Sequence, residues 1–225
     1  MHVNLMACTP ALIAIQAIRR CWNSEEAGDS YMHNSTVTKV GPKDEALVKR
    51  IIGFNHTSTV EHLYYNFEIL GMSRAILQEL ARHRHASLSV QSTRFCLKKL
   101  LSKDAKPEDY VVSSGDPDVD ALVVGQMERV MALMFAKPHI GNDRLKYALP
   151  EAFKTDLQWS VNARSLRNFL VLRLAPKAHF EIQELAAKVA LSIPKDHRLF
   201  FNDVIALNHG EGEWEDVLSS KLAPV

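Results

Sequence analysis

Arg82-His83-Arg84-His85-Ala86-Ser87-Leu88-Ser89-Val90-Gln91-Ser92-Thr93-Arg94 places three guanidiniums, two imidazoles and four hydroxyls within thirteen residues, with no carboxylate among them. Guanidiniums are planar forks that take phosphate or carboxylate through paired, charge-assisted hydrogen bonds. A cluster of this composition repels itself unless anions sit among its members. The bland alternative is a basic, solvated surface; the hydroxyls interleaved with the cations argue against it. Residues 73–83 read as a helix on which Arg74, Gln78 and Arg82 share one edge, with Glu79 and His83 on the next. That helix is expected to end near Arg84, where the negative end of its dipole favours nearby cations. Residues 86–95 then read as extended or irregular, and in an extended run Ser92 and Arg94 share a side.

The rest of the chain makes this cluster a local device. Lys+Arg is 27 and Asp+Glu is 26 in 225 residues, a net charge of +1. No large positive field exists to drive nonspecific binding of nucleic acid or an anionic membrane. A small anionic ligand suits the cluster better than a polyanion. Only 9 glycines are present, with neither G-x-G-x-x-G nor a Walker loop, so side chains rather than a backbone cradle must hold any nucleotide phosphates. Cys8, Cys21 and Cys96 are odd in number and lack paired spacing, which predicts free buried thiols in a reducing compartment. No apolar run reaches the roughly 18 residues of a membrane span, and no signal-peptide pattern opens the chain, so a cytoplasmic protein is expected.

Length favours one domain over residues 1–225. Thr9 and Pro10 read as the cap and first turn of a buried helix from Ala11 onward. Residues 44–54 read as a second helix and 63–70 as a strand broken by Gly71. Residues 102–120 are loop-like, 118–137 carry the longest helical pattern, and 153–161 read as a strand. Helices are expected at 163–174 and 177–193. Helices with few strands argue α+β or α/β.

The run Arg-His-Arg, any seven residues, then Ser resembles the signature of the flavin-dependent thymidylate synthases. His56-Thr57-Ser58-Thr59-Val60-Glu61-His62 upstream agrees with that family, as does Trp159-Ser160-Val161-Asn162-Ala163-Arg164-Ser165-Leu166-Arg167-Asn168-Phe169-Leu170 with Arg173 downstream. The resemblance covers residues 54–95 and 144–185; the first forty residues, 97–140 and the C-terminal end add little. It implies an α+β fold like that of the thymidylate synthase-complementing proteins, a small sheet flanked by several helices.

The resemblance further implies FAD on Arg82, His83, Arg84, Asn162, Arg164 and Asn168, with His56 and Ser58 helping to hold the flavin. It implies dUMP on Ser92, Arg94 and Arg173, which carry the catalytic roles, with Gln78, Glu79, Gln91, Thr93 and Lys146 completing the substrate site. NADPH and methylenetetrahydrofolate are the implied co-substrates, and a homotetramer with FAD between subunits the implied assembly. Four positions depart from the family pattern: Val90 for Glu, Glu79 for Gln, Lys146 for Arg and Lys177 for His. Without the resemblance, Arg164 and Arg167 read as a solvated stripe; His85, which has no clear role in the family, reads as a partly exposed histidine, and His62 as a structural one. His56 and His62 lack Cys or carboxylate partners at ligand spacing, so no metal site is expected. The rival reading is a non-catalytic nucleotide- or RNA-binding protein that grips its ligand with the Arg/His helix.

Overall fold

The computed structural model describes residues 1–100 and 106–222. From the N-terminus the chain forms β1 (His2–Cys8), α1 (Ala11–Cys21), β2 (Tyr31–Met32), β3 (Thr38–Lys39), α2 (Pro42–Gly53), β4 (Tyr64–Ser73) and α3 (Arg74–Leu80). It continues through β5 (Ala86–Val90), α4 (Thr93–Leu100), α5 (Pro117–Ala136), α6 (Asn142–Leu145), β6 (Lys154–Asn162), α7 (Ala163–Arg173), α8 (Phe180–Ser192), α9 (Asn202–His209) and α10 (Trp214–Val217). This is the expected mixture of helices with a small sheet.

Strands β1, β4, β6 and β5 lie in that order as one antiparallel sheet. Alternation along β4 and β6 sends Tyr65, Phe67, Ile69, Leu157, Trp159 and Val161 into the core. Trp159 sits 5.6 Å from the Phe67 ring and 5.0 Å from Phe169 on α7, which joins sheet to helix layer. The opposite face is polar: Asn4 donates to Glu68 (3.0 Å) and Ser160 to Asn66 (2.6 Å), with Ser87 and Ser89 exposed beside them. An antiparallel sheet can leave one face in water in this way. A second apolar cluster, built on Leu97, Met127, Met131, Leu145 and Phe153, lies among α4, α5 and α6.

Several local expectations are corrected. The N-terminal strand β1 and helices α9 and α10 are additions. Pro10 rather than Thr9 holds the cap position of α1, and the Thr9 hydroxyl instead accepts from the Tyr64 N–H (3.2 Å). Gly71 bends β4 without ending it: its φ of 71° accompanies a register shift between Ile69 and Met72, and its N–H donates to Asp156 (2.8 Å). Helix α3 stops at Leu80, short of Arg84, and His83 closes the turn through its N–H to the Leu80 carbonyl (3.0 Å). Extended structure ends at Val90. The Ser92 carbonyl accepts from Phe95 and Cys96 N–H groups, so Ser92 introduces α4 and Arg94 stands on a helix. Cys21 is exposed, and Cys8 and Cys96 are half-buried, so none of the thiols is fully buried. The expected loop at 102–120 begins outside the described residues and closes at Asp116, which caps α5.

The start of α3 is set from a distance. Ser73 caps it through Oγ, which accepts from the Ile76 N–H (3.3 Å), and the buried Glu181 carboxylate accepts from both the Ser73 N–H (2.7 Å) and its hydroxyl (2.5 Å). Truncating Glu181 strands two buried donors, each costing about 1–3 kcal/mol. Glu181→Ala is therefore expected to lower unfolding free energy by at least about 2 kcal/mol in urea titrations. An unchanged midpoint and slope would show that this contact adds nothing.

Candidate active site

The turn between α3 and β5 turns His83 inward and leaves Arg82, Arg84 and His85 exposed. The His83 ring stands edge-on to Phe169, with centroids 5.1 Å apart. Its Nε2 accepts from Arg173 Nε (3.1 Å). Arg173 also donates from Nη1 to Glu79 Oε2 (2.5 Å) and from Nη2 to the Glu79 carbonyl (3.2 Å). Burial, then the Arg173 and Arg82 charges, push His83 down to about 4 against the opposing pull of Glu79. The imidazole is neutral at physiological pH, and with Nε2 accepting, its proton lies on Nδ1.

Around this turn lies an open cleft of about 720 Å³, lined by Glu61, Arg82, His83, Arg84, His85, Asn162, Arg164, Ser165 and Asn168. It gathers six residues expected to hold the cofactor, Arg82, His83, Arg84, Asn162, Arg164 and Asn168, from segments far apart in sequence. Asn162 caps α7, its Oδ1 accepting from the Ser165 N–H (2.9 Å). The cleft thus opens at the N-terminal end of an 11-residue helix, where the dipole and backbone N–H groups favour an anion. Arg164 reaches Glu61 (2.6 Å), but both side chains are around half exposed, so the pair is weak and easily exchanged for a ligand.

The other expected site residues lie elsewhere. His56 and Ser58 border a separate hollow of about 240 Å³ beside α1 and α2, and Ser58 also lines one of about 790 Å³ with Arg19, Asp44 and His62. Gln78 is exposed on α3. The Gln91 N–H donates to the Asp156 carbonyl (2.9 Å), and Thr93 is buried at the start of α4. Arg94 pairs with Asp143 (3.0 Å) and its guanidinium stands 5.3 Å from the Phe95 ring centroid. Lys146 is exposed directly after α6, which packs on α4, and Asn142 at the start of α6 donates to the Arg94 carbonyl (2.9 Å). Ser92, Arg94 and Lys146 thus gather around the α4–α6 corner, and none of them lines the cleft. Glu61, His85 and Ser165 are lining residues that the sequence reading passed over, although each lies inside or next to a quoted motif. Arg167 is no solvated stripe: its guanidinium grips both oxygens of Asp203 (2.7 and 2.6 Å) and the Phe200 carbonyl, tying α9 to α7.

The profile of the family described as "Thymidylate synthase complementing protein" matches residues 4–195. The chain belongs to this family. The flavin-dependent thymidylate synthase of Helicobacter pylori is 42% identical over 216 residues, covering 91% of this chain and 99% of that protein. That of Wolinella succinogenes is 42% identical over 209 residues, covering 89% and 97%. A crystal structure of thymidylate synthase X from H. pylori with FAD and dUMP superimposes with a TM-score of 0.81, at 42% identity over 91% of this chain and 99% of that one. The family match therefore takes in most of β1 and the stretch 97–140 outside the quoted motifs.

In this thymidylate synthase-complementing fold, His83 should titrate far below a solvent-exposed imidazole. NMR titration is expected to place its midpoint near 4 rather than near the usual 6.5, and Arg173→Ala should raise it by removing a neighbouring cation. Because the folded value is depressed, His83 costs no stability above pH 6.5, and stability falls as pH drops from 6.5 toward 4. A midpoint at or above 6.5 would contradict the Nε2 contact.

Proposed function

We propose that this chain is an FAD-dependent thymidylate synthase, which methylates dUMP to dTMP with methylenetetrahydrofolate as carbon donor and NADPH as reductant. The observation that carries the reading is the convergence of Arg82, His83 and Arg84 with Asn162, Arg164 and Asn168 in one cleft at the N-terminus of α7. Three guanidiniums face a single carboxylate, Glu61, in that lining. This donor set suits a diphosphate, and it replaces the glycine-rich loop that the chain lacks. Arg82, Arg84 and Arg164 would hold the phosphates, with Asn168, His83 and Asn162 completing the FAD site. Bound there, FAD supplies the hydride, taken from NADPH, that completes the new methyl group.

The α4–α6 corner is assigned to dUMP. Ser92, Arg94 and Lys146 offer a hydroxyl, a guanidinium and an ammonium for the nucleotide, with Gln91 and Thr93 beside Ser92 in sequence and Gln78 assigned to the same ligand from α3. Asp143 occupies Arg94 and must yield to the phosphate. Lys146 neutralises phosphate as a point charge but lacks the paired fork of arginine. Arg173 is assigned to the uracil, where negative charge collects as ring carbon C5 attacks the folate methylene. A guanidinium at a uracil carbonyl stabilises the charge by about 3–4 kcal/mol if it works like an oxyanion-hole donor. Ser92, Arg94 and Lys146, like His56 and Ser58, are not among the residues that line the cofactor cleft, which supports a homotetramer whose sites are completed between subunits. The whole of residues 1–225 is assigned to one catalytic domain acting in the cytoplasm; among the described residues, no helix is long and apolar enough to cross a membrane.

The chemistry asks for no protein nucleophile, because orientation and electrostatics carry the protein's share. Burial and the Asp196 charge push the Cys8 thiol up, away from a reactive thiolate. A triple variant with Cys8, Cys21 and Cys96 changed to Ser is expected to keep turnover wherever circular dichroism shows it folded. Loss of turnover in folded, FAD-loaded variant would point to a cysteine mechanism.

The direct test of the site is FAD binding. Arg82→Ala and Arg84→Ala each remove charge-assisted contacts worth about 1.5–3 kcal/mol, so affinity is expected to fall about 10- to 150-fold in flavin fluorescence titrations. Variants that bind FAD as tightly as the parent would sink the assignment. A parent with no flavin affinity would favour a nucleotide- or RNA-binding protein instead.

A further inference from the structure

We propose that Glu79 and His83 are positioning residues for Arg173, together fixing its guanidinium so that its two remaining N–H groups are held ready for the substrate. The inference rests on the functional reading above and adds two roles to it. A guanidinium carries five N–H donors in a rigid fork. In Arg173 three are spent within the chain: Nε on His83 Nε2 (3.1 Å), Nη1 on the Glu79 carboxylate (2.5 Å) and Nη2 on the Glu79 carbonyl (3.2 Å). The Arg173 side chain is 17% exposed, so these partners replace most of its water.

Each partner is itself held. Glu79 stands in the last turn of α3, whose first turn is anchored through Ser73 to Glu181. His83 is fixed against Phe169, one turn before Arg173 on the same helix, by a T-shaped ring contact. The unit therefore joins α3, the following turn and α7 around one side chain. Its balance of charge also matters. The Arg173 and Arg82 charges both act on His83, and the Glu79 carboxylate offsets part of them while it holds Nη1.

The His83 imidazole lines the cofactor cleft while its Nε2 holds Arg173. One ring thus touches the space assigned to the cofactor and the side chain assigned to the substrate. Glutamate replaces the glutamine common in the family at position 79. Both offer a side-chain oxygen to Nη1, and alanine offers none. The contact geometry, more than the charge, is what glutamine and glutamate share.

The test compares Glu79→Ala and Glu79→Gln in full-length, FAD-loaded protein, with Glu79→Ser replacing the alanine variant if that fails to fold. Glu79→Ala is expected to bind FAD like the parent and to change the KM for dUMP by less than about threefold, yet to lose about tenfold or more in kcat. Glu79→Gln should recover kcat to within about threefold of the parent. In flavin-free protein, ¹⁵N NMR should find the His83 proton on Nδ1 in the parent and a shift toward the Nε2–H form in Glu79→Ala. Unchanged kcat in Glu79→Ala, equal impairment of the alanine and glutamine variants, or an Nε2–H imidazole in the parent would each overturn the proposal. A parent that neither binds FAD nor converts dUMP overturns the functional reading instead, and the imidazole spectra then decide the positioning roles alone.

Discussion

The edge of His83 against the ring of Phe169 is the contact on which the candidate site depends. It pins the turn after α3 to the middle of α7, and everything charged is arranged by that attachment. With His83 turned inward, its neighbours Arg82 and Arg84 are left in the cleft at the N-terminal end of α7. Its Nε2 meanwhile faces Arg173 at the C-terminal end of the same helix. One helix therefore presents cations at both ends. Its dipole favours the C-terminal one, whereas the arginines at the N-terminal end work against the dipole and against each other. Glu61 and Glu79 offset part of that repulsion, and the Glu61 pair is too exposed to offset much. The remaining positive charge favours an anion in the cleft.

The sheet supplies the rigidity behind this arrangement. Its buried face locks Trp159 between Phe67 and Phe169, so β6 and α7 cannot shift independently. Because Asn162 ends β6 and caps α7, the cleft begins where strand becomes helix. A binding residue placed at such a junction inherits the precision of both elements. Of the residues assigned to dUMP, Thr93 and Arg94 stand on α4 and Lys146 follows α6, and these elements flank a separate cluster around Met127 and Phe153, whereas Arg173 stands on α7.

Legibility followed the range of the interactions. Helix α7, strand β6 and the α5 pattern could be read because alternation and helical period are local signals. The residues assigned to the cofactor could be picked out because a motif marks them, and the structure brings six of them into one cleft. The path from β5 to α4 could not: Ser92 and Arg94 share a side only in an extended chain, and the Ser92 carbonyl starts a helix there. Gly71 carries a breaker's signal, yet its positive φ serves a bulge inside β4. Strand β1, whose burial does not alternate strictly, had no pattern to show. Pairings such as Arg164 with Glu61, Arg173 with Glu79 and Arg94 with Asp143 join residues 49 to 103 positions apart, and nothing in spacing announces them. Cys21, given a core role by its neighbours in sequence, lies exposed at the end of α1.

The most direct measurement is the identity of the folate released during turnover. A synthase that takes its hydride from reduced flavin uses methylenetetrahydrofolate only as a carbon source. FAD-loaded protein given dUMP, methylenetetrahydrofolate and NADPH is therefore expected to form dTMP and tetrahydrofolate in equal amounts by chromatography, with neither appearing when FAD is withheld. Dihydrofolate as the main product, or dTMP formed without FAD, would contradict the account.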